Sequence, residues 1–427
     1  MSARPAKATE CRRPTNPTKR GVPVSETLDP TEGPSTNRRV SQNRRRLRLA
    51  AVVAVVAIAS ALVLARLFDG GGGAASVQAG SSYVPQTRTY FLAADEVVWN
   101  YAPAGADQIT GQPFDAAAAV FVESGPQRIG SSYLKSLYRE YTDASFGTLK
   151  PRADADQRLS MLGPVIRGVV EDTIKVVFRN NPDRPASVHT HGVFYKKSSE
   201  GTPYDDGTEP SDQADDAVPP GGTYTYSYGV PERAGPMDGS SVMWMYHSHT
   251  SEVTDDYAGL VGPMVITKVG AARPDGTPRD VDREFFLQFK VSDEKQSPHL
   301  ACNIANFTGD PASVDPEDPE FGESNLMHSI NGYVFGNQPI DSLTMKKGER
   351  VRWHVMGMGT EVDLHTPHWH GNTVTALGMR TDVVSLLPAS MMEADMVPDD
   401  AGTWLFHCHV NDHITAGMLT RYRVLPR

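Results

Sequence analysis

Between Gly402 and Met418 the chain places His407, Cys408, His409, His413 and Met418 within twelve residues. A thiolate with two imidazoles and a weak axial thioether is the ligand set of a blue-copper electron-transfer centre. Alternate residues of a strand point to opposite faces. His407 and His409 therefore turn away from Cys408 and can bind other metals. A copper that accepts one electron is then joined by a few covalent bonds to a second metal centre, which is the wiring of a redox enzyme.

The same pattern occurs twice. Val230-Pro231-Glu232-Arg233-Ala234-Gly235 leads to Trp244-Met245-Tyr246-His247-Ser248-His249, and Val397-Pro398-Asp399-Asp400-Ala401-Gly402 leads to Trp404-Leu405-Phe406-His407-Cys408-His409. Each half also holds an earlier His-X-His-Gly, at His189 to Gly192 and at His368 to Gly371. With a two-residue gap after the last His pair, His365, Cys408, His413 and Met418 align with Ala186, Ser248, Asp255 and Leu260. The first half thus lacks all four blue-copper candidates together. It keeps His189, His191, His247 and His249, the counterparts of His368, His370, His407 and His409. Eight neutral imidazoles suffice for three coppers, two for one and three for each of the others. Zinc is the next alternative, but eight His with a Cys-Met site is not a tetrahedral zinc pattern. A copper store would not need Cys408 between two cluster ligands.

Short strands must position these groups. Tyr224, Tyr226 and Tyr228 alternate with Thr and Ser, and Val351, Trp353 and Val355 alternate with Arg and His. Ile174, Val176 and Phe178 alternate less cleanly. Such alternation, broken by Gly and Pro turns, implies an all-β body of two tandem sandwich or barrel domains. The Gly- and Pro-rich stretch from Gly270 to Pro278 separates them, giving residues 83–270 and 280–427.

Ahead of the body, residues 1–48 are polar and Arg-rich and read as a disordered cytoplasmic tail. Residues 49–66 read as a single membrane anchor, uncharged from Leu49 to Ala65, and 67–82 as a Gly-rich linker. Six Arg between Arg38 and Arg48 set the tail inside and the body outside. The competing reading is a cleaved export signal ending near Ala59-Ser60-Ala61, which also puts the body outside the cytoplasm. A net charge of −10 argues against nucleic acid as a partner. Cys11 lies in the tail. If Cys408 binds metal, Cys302 has no intrachain partner, no disulfide framework exists, and Cys302 reads as a small buried apolar residue.

The four His motifs and the Cys-Met run resemble the signature of the multicopper oxidases. That resemblance implies a type 2 copper on His189 and His368. It implies a type 3 pair on His191, His247, His249, His370, His407 and His409, and a type 1 copper on His365, Cys408, His413 and Met418. It also implies cupredoxin-like Greek-key domains. From about Arg88 to Leu425 the chain further resembles the ceruloplasmin and hephaestin ferroxidases. Gly130-Ser131-Ser132-Tyr133, Tyr138 to Asp143, Leu162 to Arg167, Ser329 to Tyr333 and Met356 to His365 carry this likeness.

Those relatives have six cupredoxin domains per chain and this body has two. The resemblance therefore implies a homotrimer, with each three-copper cluster between chains. It also implies an Fe(II) site of Glu294, His299 and Asp412, with Glu361 from an adjacent chain. Pro298 stands where the family has an aromatic residue. The implied activity is one-electron oxidation of Fe(II) coupled to reduction of dioxygen to water. A laccase-like phenol oxidase or a cuprous oxidase is the alternative, followed by a copper nitrite reductase or an inactive copper-binding protein. Two further features are read as bland or functional: the acidic run Asp205 to Glu209 with Asp215 and Asp216, as a solvated loop or a cation concentrator, and Met391 with Met392, as packing or a soft Cu(I) contact.

Overall fold

Alternating apolar residues fold here into four sheets. The computed structural model describes residues 83–152 and 160–427. The tail, anchor and linker expected in residues 1–82 lie outside the described residues. Among the described residues, no helix is long and apolar enough to cross a membrane.

The first half carries β1 (Thr87–Asn100), β2 (Ser132–Tyr141), β3 (Ile166–Val169), β4 (Thr173–Asn180), β5 (His189–Thr190), β6 (Thr223–Gly229), β7 (Ser241–His247) and β8 (Val261–Thr267). They form two four-stranded sheets, ordered β2-β1-β4-β6 and β3-β8-β7-β5. Ile174, Val176, Phe178, Tyr226 and Tyr228 all point into one core between them. The tyrosines can be buried because their hydroxyls find acceptors: Tyr226 donates to the Asp215 carbonyl at 2.7 Å and Tyr228 to the Val188 carbonyl at 2.8 Å.

The second half carries β9 (Arg283–Asp293), β10 (Leu326–Ile330), β11 (Thr344–Lys346), β12 (Val351–Gly357), β13 (Pro367–Trp369), β14 (Val374–Ala376), β15 (Met379–Thr381), β16 (Met391–Met396), β17 (Gly402–Cys408) and β18 (Leu419–Leu425). These make a six-stranded sheet, β10-β9-β12-β16-β14-β15, and a four-stranded one, β11-β18-β17-β13. Trp353 sits between them against Phe285, Trp369, Phe406 and Tyr422. The helices among the described residues are short, such as Glu252–Ala258, Leu300–Phe307 and Asn411–Thr415.

One strand departs from the expected pattern. Every position of β12 is buried, although its sequence alternates apolar and polar residues. The polar face is covered by the first half. Arg352 donates to Ser240 Oγ at 3.0 Å and Ser241 Oγ at 2.8 Å. Beside it, the Met243 amide donates to Glu393 on β16. A second seam runs along β2. There the Leu134 amide donates to Asn303 Oδ1 at 2.7 Å and the Tyr133 hydroxyl to Asn325 Oδ1 at 3.0 Å. Cys302 is half-buried on the helix Leu300–Phe307, less enclosed than the small buried residue expected there.

Candidate metal centres

The turn after β17 gathers the sulfur seat. Strand β17 ends at Cys408, the following helix Asn411–Thr415 delivers His413, and the loop before β13 delivers His365. Cys408 is a buried thiol. Its Sγ lies 3.5 Å from His413 Nδ1 and 4.0 Å from His365 Nδ1, and those two nitrogens are 3.3 Å apart. The Thr366 amide donates to the sulfur at 3.3 Å. Burial alone would push the Cys408 thiol up, yet His365, His413 and the amides of Thr366 and Val410 pull it down to about 6. That favours the thiolate a metal needs. His365 is held from behind by Asp363, whose Oδ1 lies 3.1 Å from Nε2. Met418 is buried in the same core cluster, and its carbonyl accepts the Cys408 amide at 3.1 Å.

Two His quartets stand on the two halves. The ladder sets His189 opposite His247 and His368 opposite His407. His191 Nε2 then faces His247 Nε2 at 3.2 Å, and His370 Nε2 faces His407 Nε2 at 3.1 Å. The rings of His249 and His409 lie 5.1 and 5.5 Å from those of His189 and His368. Most Nδ1 atoms are already occupied. His189 pairs with the Glu200 carbonyl at 2.7 Å, His249 with Thr202 Oγ1 at 2.9 Å, His368 with the Asp382 carbonyl at 2.9 Å and His407 with the Cys408 carbonyl at 2.7 Å. This fixes the tautomer and leaves Nε2 for a metal. Burial and neighbouring imidazoles lower His191 to about 4 and His247 to about 3, so both stay neutral and able to coordinate. An open cleft of about 540 Å³ runs past His189 and His191 to Trp244.

Three separate groups of donor atoms could each hold an ion: His189-His191-His247, His368-His370-His407 and His365-Cys408-His413. A fourth, His247-His249-Glu252, overlaps the first. Among the described residues no group draws on both halves. Thiolate and imidazole donors with engaged Nδ1 atoms fit copper well.

The aligned positions of the first half occupy the same places and do a different job. The Ser187 amide donates to Ser248 Oγ at 3.0 Å, as the Thr366 amide does to Cys408 Sγ. The Ser248 amide donates to the Leu260 carbonyl at 3.1 Å, as Cys408 does to Met418. Ser248 Oγ then donates to Asp255 Oδ2 at 2.6 Å, where the second half has Cys408 beside His413. Ala186 bridges Val218 as His365 bridges Leu386. A hydrogen bond fills the place where the second half gathers its thiolate and imidazole donors.

The four residues expected to hold iron are not gathered into one group. Glu294 and His299 are buried beside β2, where Glu294 pairs with Lys135 and His299 Nε2 lies 2.9 Å from Ser136 Oγ. Asp412 and Glu361 are exposed. In the acidic loop, Asp206 pairs with Lys197 at 3.1 Å, while buried Asp215 accepts the Gly201 amide at 2.7 Å and so steadies the turn that holds His189. Met391 and Met392 pack against core clusters. The sequence reading missed Asp363, Thr202 and Lys135, and took Asp215 only as part of an acidic loop. For Asp363 a signal existed, a carboxylate two residues before a candidate His ligand.

Comparison with known proteins agrees. Residues 158–270 and 310–427 each match a family profile described as multicopper oxidase. The chain is 45% identical to human hephaestin over 344 residues, covering 79% of this chain and 29% of hephaestin. It is 45% identical over 343 residues to human ferroxidase HEPHL1, with the same coverage. Identity to mouse ceruloplasmin is 43% over 342 residues, 79% of this chain and 32% of that protein. The chain thus spans about a third of the length of these relatives. A solved structure described as a multicopper oxidase superposes with a TM-score of 0.50 at 17% identity, over 79% of this chain and 89% of that one, which supports the all-β cupredoxin-like fold. Two family profiles over most of both halves, on an all-β fold, make this chain a member of the multicopper oxidases, copper-dependent oxidoreductases, similar in sequence to hephaestin and ceruloplasmin.

Proposed function

We propose that the protein is a ferroxidase, coupling four one-electron oxidations to the reduction of one dioxygen: 4 Fe(II) + O₂ + 4 H⁺ gives 4 Fe(III) + 2 H₂O. The observation that carries this is the sulfur seat built into one His quartet, in a chain 45% identical to a protein named a ferroxidase. His365, Cys408, His413 and Met418 would hold the type 1 copper. His189 and His368 would hold type 2, and His191, His247, His249, His370, His407 and His409 the type 3 pair. When bound, copper supplies a one-electron acceptor at the sulfur seat and the multi-electron reduction of dioxygen at the imidazole nest. The chain's own part is to fix ligands and exclude water. Cys408 lies covalently between His407 and His409, so seat and nest are joined by a few bonds. Engaged Nδ1 atoms keep the imidazoles aimed, and burial keeps His191 and His247 neutral.

Each chain offers two half-nests, and no donor group draws on both. A homotrimer in which one chain's His189 quartet meets the next chain's His368 quartet completes three nests. Sedimentation of copper-loaded protein should therefore give a trimer, and dilution below the association range should abolish oxygen uptake. Fe(II) is taken by Glu294, His299 and Asp412 with Glu361 of an adjacent chain. The body lies outside the cytoplasm, held to the membrane by residues 49–66.

Oxygen uptake with Fe(II), Cu(I) and a phenol tests the substrate. Fe(II) should be preferred, and Glu294→Ala with His299→Ala should raise its KM by about tenfold or more. Unchanged Fe(II) kinetics alongside fast phenol turnover would replace this reading with a laccase-like one.

A further inference from the structure

Strand β2 of the first half meets the segment that carries Glu294 and His299. The Lys135 ammonium pairs with Glu294 Oε1 and also donates to the Tyr257 carbonyl at 2.6 Å. The Tyr101 hydroxyl donates to the same Oε1. The next residue, Ser136, takes His299 Nε2. Both members of the ion pair are shut off from water, with Lys135 1% and Glu294 0% exposed. Both of these contacts on Glu294 fall on Oε1. Oε2 is equally buried and has no hydrogen-bond partner. An orphaned carboxylate oxygen in a dry site is costly, and it marks a place for a positive ligand. So β2 spends one oxygen of Glu294 and one nitrogen of His299, and keeps Oε2 for a cation.

The ammonium at Oε1 has a second effect. Carboxylates alone favour Fe(III) over Fe(II), which helps oxidation but hinders release of the product. Coulomb repulsion scales with charge, so a fixed ammonium opposes the trivalent ion about 1.5 times as strongly as the divalent one. Resting on the iron reading above, we propose that Lys135 sets the affinity of the substrate site, offsetting the Glu294 charge so that oxidised iron can leave. Fe(II) binds at Oε2, gives up one electron to the oxygen-reducing machinery, and departs as Fe(III) past a neighbour that disfavours it. Lys135 touches no substrate. It is a positioning and charge-setting residue.

The test uses full-length, copper-loaded Lys135→Gln, which keeps a donor but loses the charge. Its KM for Fe(II) should fall by about tenfold while kcat also falls, because product is retained. Ga(III), trivalent but redox-inert, should inhibit it more strongly than the parent. Lys135→Arg should behave as the parent. A merely structural role would cut copper content, visible absorption and kcat together and leave KM unmoved. An unchanged or raised KM, or unchanged Ga(III) inhibition, in a variant that keeps the parental absorption overturns the proposal. Where Lys135→Gln does not load copper, the parent decides: Ga(III) binding more than about 100-fold tighter than Mn(II) overturns it, and a smaller preference supports it. The underlying iron reading fails separately, through Glu294→Gln with unaltered Fe(II) kinetics.

Discussion

At the sulfur seat, the carboxylate of Asp363 does two jobs at once. It is fully buried, it accepts the Val291 amide at 2.7 Å and the Thr360 amide at 2.8 Å, and it faces His365 Nε2. Burial works against charge on His365, but Asp363 and Cys408 outweigh it and raise its pKa. The imidazole is thereby turned so that Nδ1 faces Cys408. Partners of this kind commonly contribute tenfold to a hundredfold to metal affinity. Asp363→Asn should weaken copper retention at the sulfur seat by about 10–100-fold, read by chelator competition on the visible band, with the imidazole nest still loaded. The donor atoms themselves were legible in the sequence, because His-X-His on a strand and Cys between two His have few other uses. The partners were not. Lys135 lies 159 positions from Glu294 and sits in an ordinary strand, so nothing local marks it.

The strands impose their own constraint at the end of each His-X-His-Gly. Gly192 and Gly371 have φ of +78° and +72°, the left-handed region that favours glycine. A Cβ on Gly192 would come within 2.3 Å of the Trp244 ring, and one on Gly371 within 2.4 Å of Trp404. The turn must bend sharply so that the second imidazole can double back beside the paired strand, and the indole then packs over the bend. Gly371→Ala should cost about 1–3 kcal/mol of stability, seen as a lower Tm, and should reduce copper at His370. Alternation predicted these strands well where one face meets water, as in β6, whose Tyr226 and Tyr228 are buried while Thr225 and Ser227 are exposed. It failed on β12, because the polar face of that strand is roofed by another part of the chain. Arg352 and His354 look solvent-facing in sequence and are buried in the fold. Periodicity reports the core of one sandwich and is silent about the contact between two.

For the molecule as a whole, that roofed face contains a buried charge relay across the seam. His354 Nε2 lies 3.0 Å from Glu284 Oε1, and Nδ1 is 3.8 Å from Glu393, an ion-pair rather than a hydrogen-bond distance. Arg167 pairs with Glu284 at 2.8 Å, Arg352 lies beside Glu393, and Phe286 stacks on the imidazole at 4.7 Å. Burial opposes the His354 charge, but Glu284 and Glu393 prevail and raise its pKa. Burial also opposes charge on Glu284, yet Arg167 and His354 hold it at about 2. A raised imidazole stabilises the fold fully below its unfolded value and loses that contribution as pH rises through its folded value. A depressed carboxylate contributes above its unfolded value and loses this as pH falls through its folded one. Denaturant stability should therefore decline as pH rises past the ordinary imidazole range toward the raised value of His354, and again in strong acid. His354→Gln should flatten the decline with rising pH, measured by urea unfolding across pH. The Ser248–Asp255 hydrogen bond carries a different lesson about this architecture. One address on the scaffold holds either a shared proton or a set of sulfur and imidazole donors without altering the surrounding amide contacts. Grafting Ala186→His, Ser248→Cys, Asp255→His and Leu260→Met should thus give each polypeptide a second chromophore, visible as a doubled absorbance per mole, from a framework that needs no redesign.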